Sequence, residues 1–154
     1  MPSPRRRDAA RVVVLDEDNR ILLLRYEEGE GFWAVPGGSL NPGESHAAAA
    51  RRELEEELGA EDVQIGPELA VRTKDHQVGH ETARQVEKYF VAVLVQEAVD
   101  PARATQPDDI RGWQWWSLSD LRETAETVYP LGLADLISDY LKYGAPATPV
   151  VLRG

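Results

Sequence analysis

Cysteine is absent from the 154 residues, which excludes disulfides, thiolate metal sites and cysteine nucleophiles. Any bound metal must be held by oxygen or imidazole ligands. No apolar run approaches the ~20 residues that a bilayer span requires, so no membrane crossing is expected. Val12–Leu15, behind Arg5, Arg6 and Arg7, is too short for the core of a signal peptide, and the expected location is the cytoplasm. Positive charge is also in short supply: 17 Lys and Arg stand against 27 Asp and Glu, a net charge of −10. The chain therefore lacks the basic surplus that displaces counterions from long nucleic acid. Small phosphorylated ligands remain compatible with it, provided divalent cations stand between the carboxylates and the phosphates.

The length suits one domain, expected over 10–144 and flanked by a flexible Arg- and Pro-containing tail at 1–9 and a Pro-rich tail at 145–154. Val12 to Asp16 and Ile21 to Arg25 are apolar runs separated by the turn-forming cluster Asp16-Glu17-Asp18-Asn19, which predicts a hairpin. Phe32 to Val35 is a short strand candidate, and the prolines and glycines from Pro36 to Gly43 predict a loop. From Ala47 to Leu58 every residue is a good helix former, with Ser45 placed to cap the start and Gly59 the end. Strands are predicted over 63–72, 85–95 and 112–117, a short capped helix after Ser117 or Ser119, and an amphipathic helix within 131–143. Strands interleaved with two or three helices predict an α/β sandwich.

The predicted helix carries the chemistry. At ~100° per residue, Glu53, Glu56 and Glu57 project within about a third of its circumference. Arg52 can pair with Glu56, but one guanidinium cannot neutralise three acids. Hard divalent cations such as magnesium take carboxylate, carbonyl and phosphate oxygens, so the trio is a candidate magnesium site. Ala47, Ala50, Leu54 and Leu58 on the other side would anchor the helix on a sheet. Gly37 and Gly38 let backbone come close and offer a carbonyl as a further ligand, and Glu44 stands at the helix entrance. A solvated acidic helix face is the plainer explanation of such a trio taken alone.

The segment from Gly38 to Ala60 resembles the Nudix box, G-x5-E-x7-R-E-U-x-E-E-x-G-U, with U a bulky aliphatic residue. Gly38, Glu44, Arg52, Glu53, Glu56, Glu57 and Gly59 match all the fixed positions, and Ala60 is small where the family prefers a larger aliphatic residue. At ordinary residue frequencies a chance match at a given start is on the order of 10⁻⁸ or rarer. The resemblance implies a Nudix-type α/β/α sandwich around a mixed β-sheet, and a hydrolase of phosphoric anhydrides. It implies Glu53, Glu56 and Glu57 as ligands of Mg²⁺, for which Mn²⁺ can substitute, helped by a carbonyl of Gly37 or Gly38. It gives Arg52 the task of orienting a carboxylate. The implied reaction is attack of an activated water on one phosphorus of a diphosphate bridge. For the general base the family offers a box glutamate or a later carboxylate: Glu53 comes first, and Glu87 is preferred among the later ones. Glu87 also suits an exposed strand glutamate paired with Arg84 or Lys88.

For substrate, the basic residues Arg72, Lys74 and Arg84 are candidates to hold phosphates, with simple surface balancing as the alternative. Trp115 is a candidate to stack on a base, although core packing suits it as well. Asp108 and Asp109 could read a base edge or simply form a turn. His76 and His80 are separated by Gly79, and no zinc site is expected from them. Neither the proline of ADP-ribose hydrolases nor the tyrosine of dinucleoside polyphosphate hydrolases stands beyond the box, where the chain reads Asp75-His76-Gln77. The substrate class expected is a nucleoside triphosphate or a nucleotide sugar such as ADP-ribose. The alternatives are an inactive nucleotide-sensing module and a pyrophosphohydrolase of RNA 5′ ends, for which Arg5 to Arg7 are the sequence support. Many family members pair as homodimers, and the resemblance allows the same here.

Overall fold

Asp16 closes the first hairpin. Its Oδ1 accepts the Asp18 and Arg20 amides at 2.9 and 2.8 Å, and its Oδ2 accepts Gln96 Nε2 at 2.6 Å. Burial opposes its ionisation, but these donors hold the carboxyl below its usual range. The flanking strands are β1 (Arg5–Leu15) and β2 (Ile21–Tyr26), antiparallel, with Leu15 opposite Ile21. The computed structural model describes residues 5–105 and 110–153. Among these, further strands are β3 (Phe32–Ala34), β4 (Gly37–Ser39), β5 (Glu68–Val78), β6 (Glu81–Val93), β7 (Ile110–Trp116), β8 (Val128–Tyr129) and β9 (Val150–Leu152). The helices are α1 (His46–Leu58), α2 (Leu118–Glu123) and α3 (Leu133–Tyr143).

The sheet is mixed, in the order β8-β3-β2-β1-β6-β5-β9, with β4 also beside β1 and β7 also beside β2. β1 runs parallel to β6 along its whole length, from Arg5 opposite Ala83 to Leu15 opposite Val93. β1 thus begins inside the segment expected to be a flexible tail, because backbone pairing with β6 recruits Arg5 to Ala9. The Pro-rich end likewise supplies β9, which pairs parallel with β5 from Ala70 opposite Val150. Gly37–Ser39, expected to be loop, pairs antiparallel with β1.

Alternation along β1 divides the core in two. Ala10, Val12 and Val14 meet Ala49, Ala50, Leu54 and Leu58 of α1, while Val13 and Leu15 meet Leu121 of α2 and Leu133, Leu136 and Ile137 of α3. The result is the α/β/α sandwich expected. Ala49, not Ala47, completes the buried stripe of α1. Ser45 Oγ accepts the Ala48 amide at 3.1 Å, and the helix closes at Gly59 with φ 66°. No helix among the described residues is long and apolar enough to cross a membrane.

The fully buried Leu54 fixes α1 on the sheet. Leu54→Ala is expected to cost about 2–5 kcal/mol of stability, read from the shift of the urea midpoint. A cost under about 1 kcal/mol would show that α1 is anchored elsewhere.

Candidate active site

β1 and β2 part after the Leu15–Ile21 pair, and β4 takes the vacated side of β1, with Ala10 opposite Gly38 and Arg11 opposite Gly37. Val12 donates to the Pro36 carbonyl at 2.9 Å just ahead of it. Two glycines are needed here for different reasons. Gly37 has φ 142°, and a Cβ on it would collide with the Ala10 carbonyl. A Cβ on Gly38 would sit 2.5 Å from Glu53 Oε1. The narrow β4 therefore lets the carboxylates of α1 come against backbone at the parting of the sheet.

Arg52 gathers the acids. Its Nε and Nη2 donate to both oxygens of Glu44 at 2.9 and 2.8 Å, its Nη1 donates to Glu53 at 2.8 Å and Glu56 at 3.2 Å, and its Nη2 also reaches the Ser39 carbonyl at 3.0 Å. This fork geometry belongs to arginine and not to lysine. Arg52 and the Asn41 amide, 2.9 Å away, push the Glu44 carboxyl down to about 2. Glu57 stands apart from the guanidinium and accepts the Gly37 amide at 3.1 and 3.3 Å. Burial, together with the neighbouring Glu53 and Glu56, pushes it up to about 8, against the pull of the Gly37 amide and Arg11.

Three carboxylates and nearby glycine carbonyls, with no imidazole or thiolate, form the donor set of a hard divalent cation, and the absent Cβ of Gly38 leaves Glu53 its place. Among the described residues, only Asp16, Glu17 and Asp18 bring three such ligand atoms within 4.8 Å of one another. Both oxygens of Asp16 are spent on the hairpin turn and Gln96. The α1 trio has two anchors, Arg52 for Glu53 and Glu56 and the Gly37 amide for Glu57.

A pocket of about 570 Å³ opens on the opposite sheet face. Arg11, Arg72 and Lys74 line its charged side, and Tyr26, Phe32 and Tyr129 its aromatic side. Tyr26 and Phe32 stack at 5.1 Å with 14° between their planes, and Phe32 meets Tyr129 edge-on at 5.4 Å. Glu87 is buried at the pocket floor, where Oε2 accepts Arg11 Nε at 2.7 Å and Oε1 accepts Arg72 Nη1 at 2.6 Å. Its partners are these two arginines, not Arg84 or Lys88 as the strand reading allowed. Burial works against the Arg11 charge, but Glu87, Tyr89 and Glu57 outweigh it and raise the guanidinium further. Arg11 thus feels both the α1 acids and the pocket.

Of the residues singled out in sequence, α1 and β4 bring Glu44, Arg52, Glu53, Glu56, Glu57, Gly37 and Gly38 together, and the pocket gathers Arg72, Lys74 and Glu87. Arg84 and Trp115 fall outside it. Arg84 pairs with Asp75 at 2.9 Å on the far side of the ladder, and Trp115 packs with the α1-side core. Asp108 and Asp109 lie outside the described residues. Arg11, Tyr26, Phe32 and Tyr129 were not singled out. A lone arginine inside the buried run Ala9–Leu15 was the available signal for Arg11.

The elevated Glu57 carboxyl sets a pH dependence. The folded chain holds this proton more tightly than the unfolded chain, so the contribution of Glu57 to stability is fully present below the ordinary carboxyl value near 4.5 and is lost as pH rises towards 8. In EDTA, the melting temperature is expected to drop across pH 5–8, and Glu57→Gln to flatten that drop. A profile identical in both proteins would remove Glu57 as its source.

The comparisons agree with this geometry. A family model described as NUDIX domain matches residues 5–136. A protein of Teredinibacter turnerae named RNA pyrophosphohydrolase is 30% identical over 148 residues, covering 84% of each chain. The crystal structure of a MutT NUDIX hydrolase from Burkholderia pseudomallei superposes with a TM-score of 0.60 at 26% identity, covering 84% of this chain and 95% of that one. The NUDIX domain of NrtR from Shewanella oneidensis, solved with ADP-ribose, gives a TM-score of 0.67 at 18% identity, covering 92% of this chain and 90% of that one, a likeness of fold. With the fixed residues of the motif set on β4, on α1 and at the ends of that helix, and the family match across most of its length, the chain belongs to the Nudix family and is a hydrolase.

Proposed function

We propose that this hydrolase is a magnesium-dependent pyrophosphohydrolase that cleaves the diphosphate bridge of a nucleoside diphosphate derivative. The observation that carries the reading is the adjacency of the acids gathered by Arg52 and Gly37 to a pocket that is cationic at one end and aromatic at the other. Glu53, Glu56 and Glu57, with a carbonyl of Gly37 or Gly38, would hold Mg²⁺, which supplies charge neutralisation and an activated water when bound, and Mn²⁺ would serve in its place. Arg11, Arg72 and Lys74 receive phosphate oxygens, for which the bidentate fork of arginine is suited. The Tyr26–Phe32 pair offers a face on which a base stacks.

Nucleoside triphosphates and nucleotide sugars such as ADP-ribose both fit this description. A second reading, removal of pyrophosphate from RNA 5′ ends, is favoured by curated relatives that carry that name. Tight nucleotide binding without turnover at any divalent cation would instead indicate a sensing module.

Glu56→Gln and Glu57→Gln are each expected to lower phosphate or AMP release at least ~100-fold in magnesium while leaving the protein folded. Turnover indifferent to both substitutions would refute the role given to these carboxylates. Glu87 we read as the positioning residue of Arg11 and Arg72, since both its oxygens are already occupied. Glu87→Gln should then raise KM about tenfold with kcat within about threefold, because the guanidiniums lose their shared counter-charge. A fall in kcat of ~1000-fold at constant KM would restore Glu87 as the general base.

A further inference from the structure

Arg72 is braced from both sides of its strand. β5 lies between β6 and β9, and Arg72 stands beside Glu87 in one ladder and beside Leu152 in the other. From β6, Glu87 Oε1 accepts its Nη1 at 2.6 Å; from just beyond β9, the Arg153 carbonyl accepts its Nε at 3.3 Å. The side chain is only 14% exposed, so water is a poor substitute for either acceptor. A planar guanidinium held at Nε and at Nη1 has its orientation fixed, and because Arg72 lines the pocket its remaining donors are left for a phosphate there.

The brace itself is lightly built. β9 has three residues, lies at the end of the sheet order and pairs with β5 alone among the described residues. Residues 145–149, Ala-Pro-Ala-Thr-Pro, join it to α3, and the two prolines offer no N–H. Val150 and Val151 are exposed, at 42% and 79%. Leu152 is the side chain that ties β9 to the interior, packing on the core cluster that also takes Tyr140 of α3. A short edge strand with one such tie opens at lower free energy than the sheet it borders.

We propose that β9 is the positioning element of Arg72: docked, it aims the guanidinium at a substrate phosphate, and undocked, it leaves Glu87 to draw the guanidinium away. The inference rests on the reading of Arg72 as a phosphate contact and adds what sets its aim. Once the Arg153 carbonyl withdraws, the buried Glu87 carboxylate is the acceptor left for both ends of the fork, and a bidentate grip spends the donors that a phosphate would take. Such a contact serves bound substrate and transition state alike, so its loss falls on KM and not on kcat.

The test compares the full chain with Leu152→Ala, Val151→Ala, Arg72→Lys and the Leu152→Ala/Arg72→Lys double variant. Leu152→Ala removes the tie, whereas Val151→Ala shortens the exposed neighbour and leaves the tie in place. With whichever of GTP and ADP-ribose is turned over, Leu152→Ala should raise KM about fivefold with kcat within about twofold, and Val151→Ala should change neither. Lysine keeps the charge but has no Nε, so Leu152→Ala should add less than about twofold to the KM of Arg72→Lys. The Arg72 Nε–H resonance, assigned by its loss in Arg72→Lys, should exchange with water about tenfold faster in Leu152→Ala and at the wild-type rate in Val151→Ala. If neither nucleotide is cleaved, the Kd of inorganic pyrophosphate in magnesium replaces KM. A weakening of about fivefold confined to Leu152→Ala would then support the role of β9 and count against the hydrolytic reading only. An unchanged KM or Kd in Leu152→Ala, equal effects in Val151→Ala, or losses that multiply in the double variant would overturn the proposal.

Discussion

The guanidinium of Arg52 holds Glu44, Glu53, Glu56 and the Ser39 carbonyl in one network, and the arrangement around the helix follows from it. Without a shared cation these acids would repel one another and turn outwards to water. With it, the entrance of α1, the end of β4 and the middle of α1 are tied to a single planar group. Glu57 is excluded from that tie and leans on the Gly37 amide, and burial pushes its carboxyl up.

The parting of β1 from β2 gives this network access to the other side of the sheet. A continuous sheet would wall the acids of α1 off from the pocket, whereas the two-glycine β4 is thin enough to let them approach Arg11. On the pocket side the electrostatic logic is inverted: one buried acid, Glu87, serves two arginines drawn from β1 and β5. Acids share a cation on one face, and cations share an acid on the other, so each face keeps its own sign of charge in close array.

The helix was legible because its signals are local: Ser45, Gly59 and the spacing of the glutamates all lie within one segment. The sandwich followed from element order. The pocket was not legible, since Arg11 reaches Glu87 only through the parallel pairing of β1 with β6, Arg72 reaches it across the antiparallel β5–β6 ladder, and Tyr129 joins Phe32 only because β8 pairs with β3. Face parity was readable for Trp115 and Arg84, but parity does not say which face bears the pocket. The strands within the two end segments were not legible for a related reason. Composition marks Arg5 to Ala9 and Val150 to Leu152 as unfit to fold alone, but a strand edge supplies what their own sequence lacks.

The pairing of β1 with β6 also governs how the chain can assemble. The two strands lie far apart in the sequence, from Arg5 opposite Ala83 to Leu15 opposite Val93, and closing a loop of that span is slow. Without β6, the edge of β1 that carries Val12 to Leu15 would be left unpaired and apolar, the kind of edge that invites aggregation. A centre built on two strands this distant costs more loop-closure entropy than the hairpin or the helix, whose contacts are local.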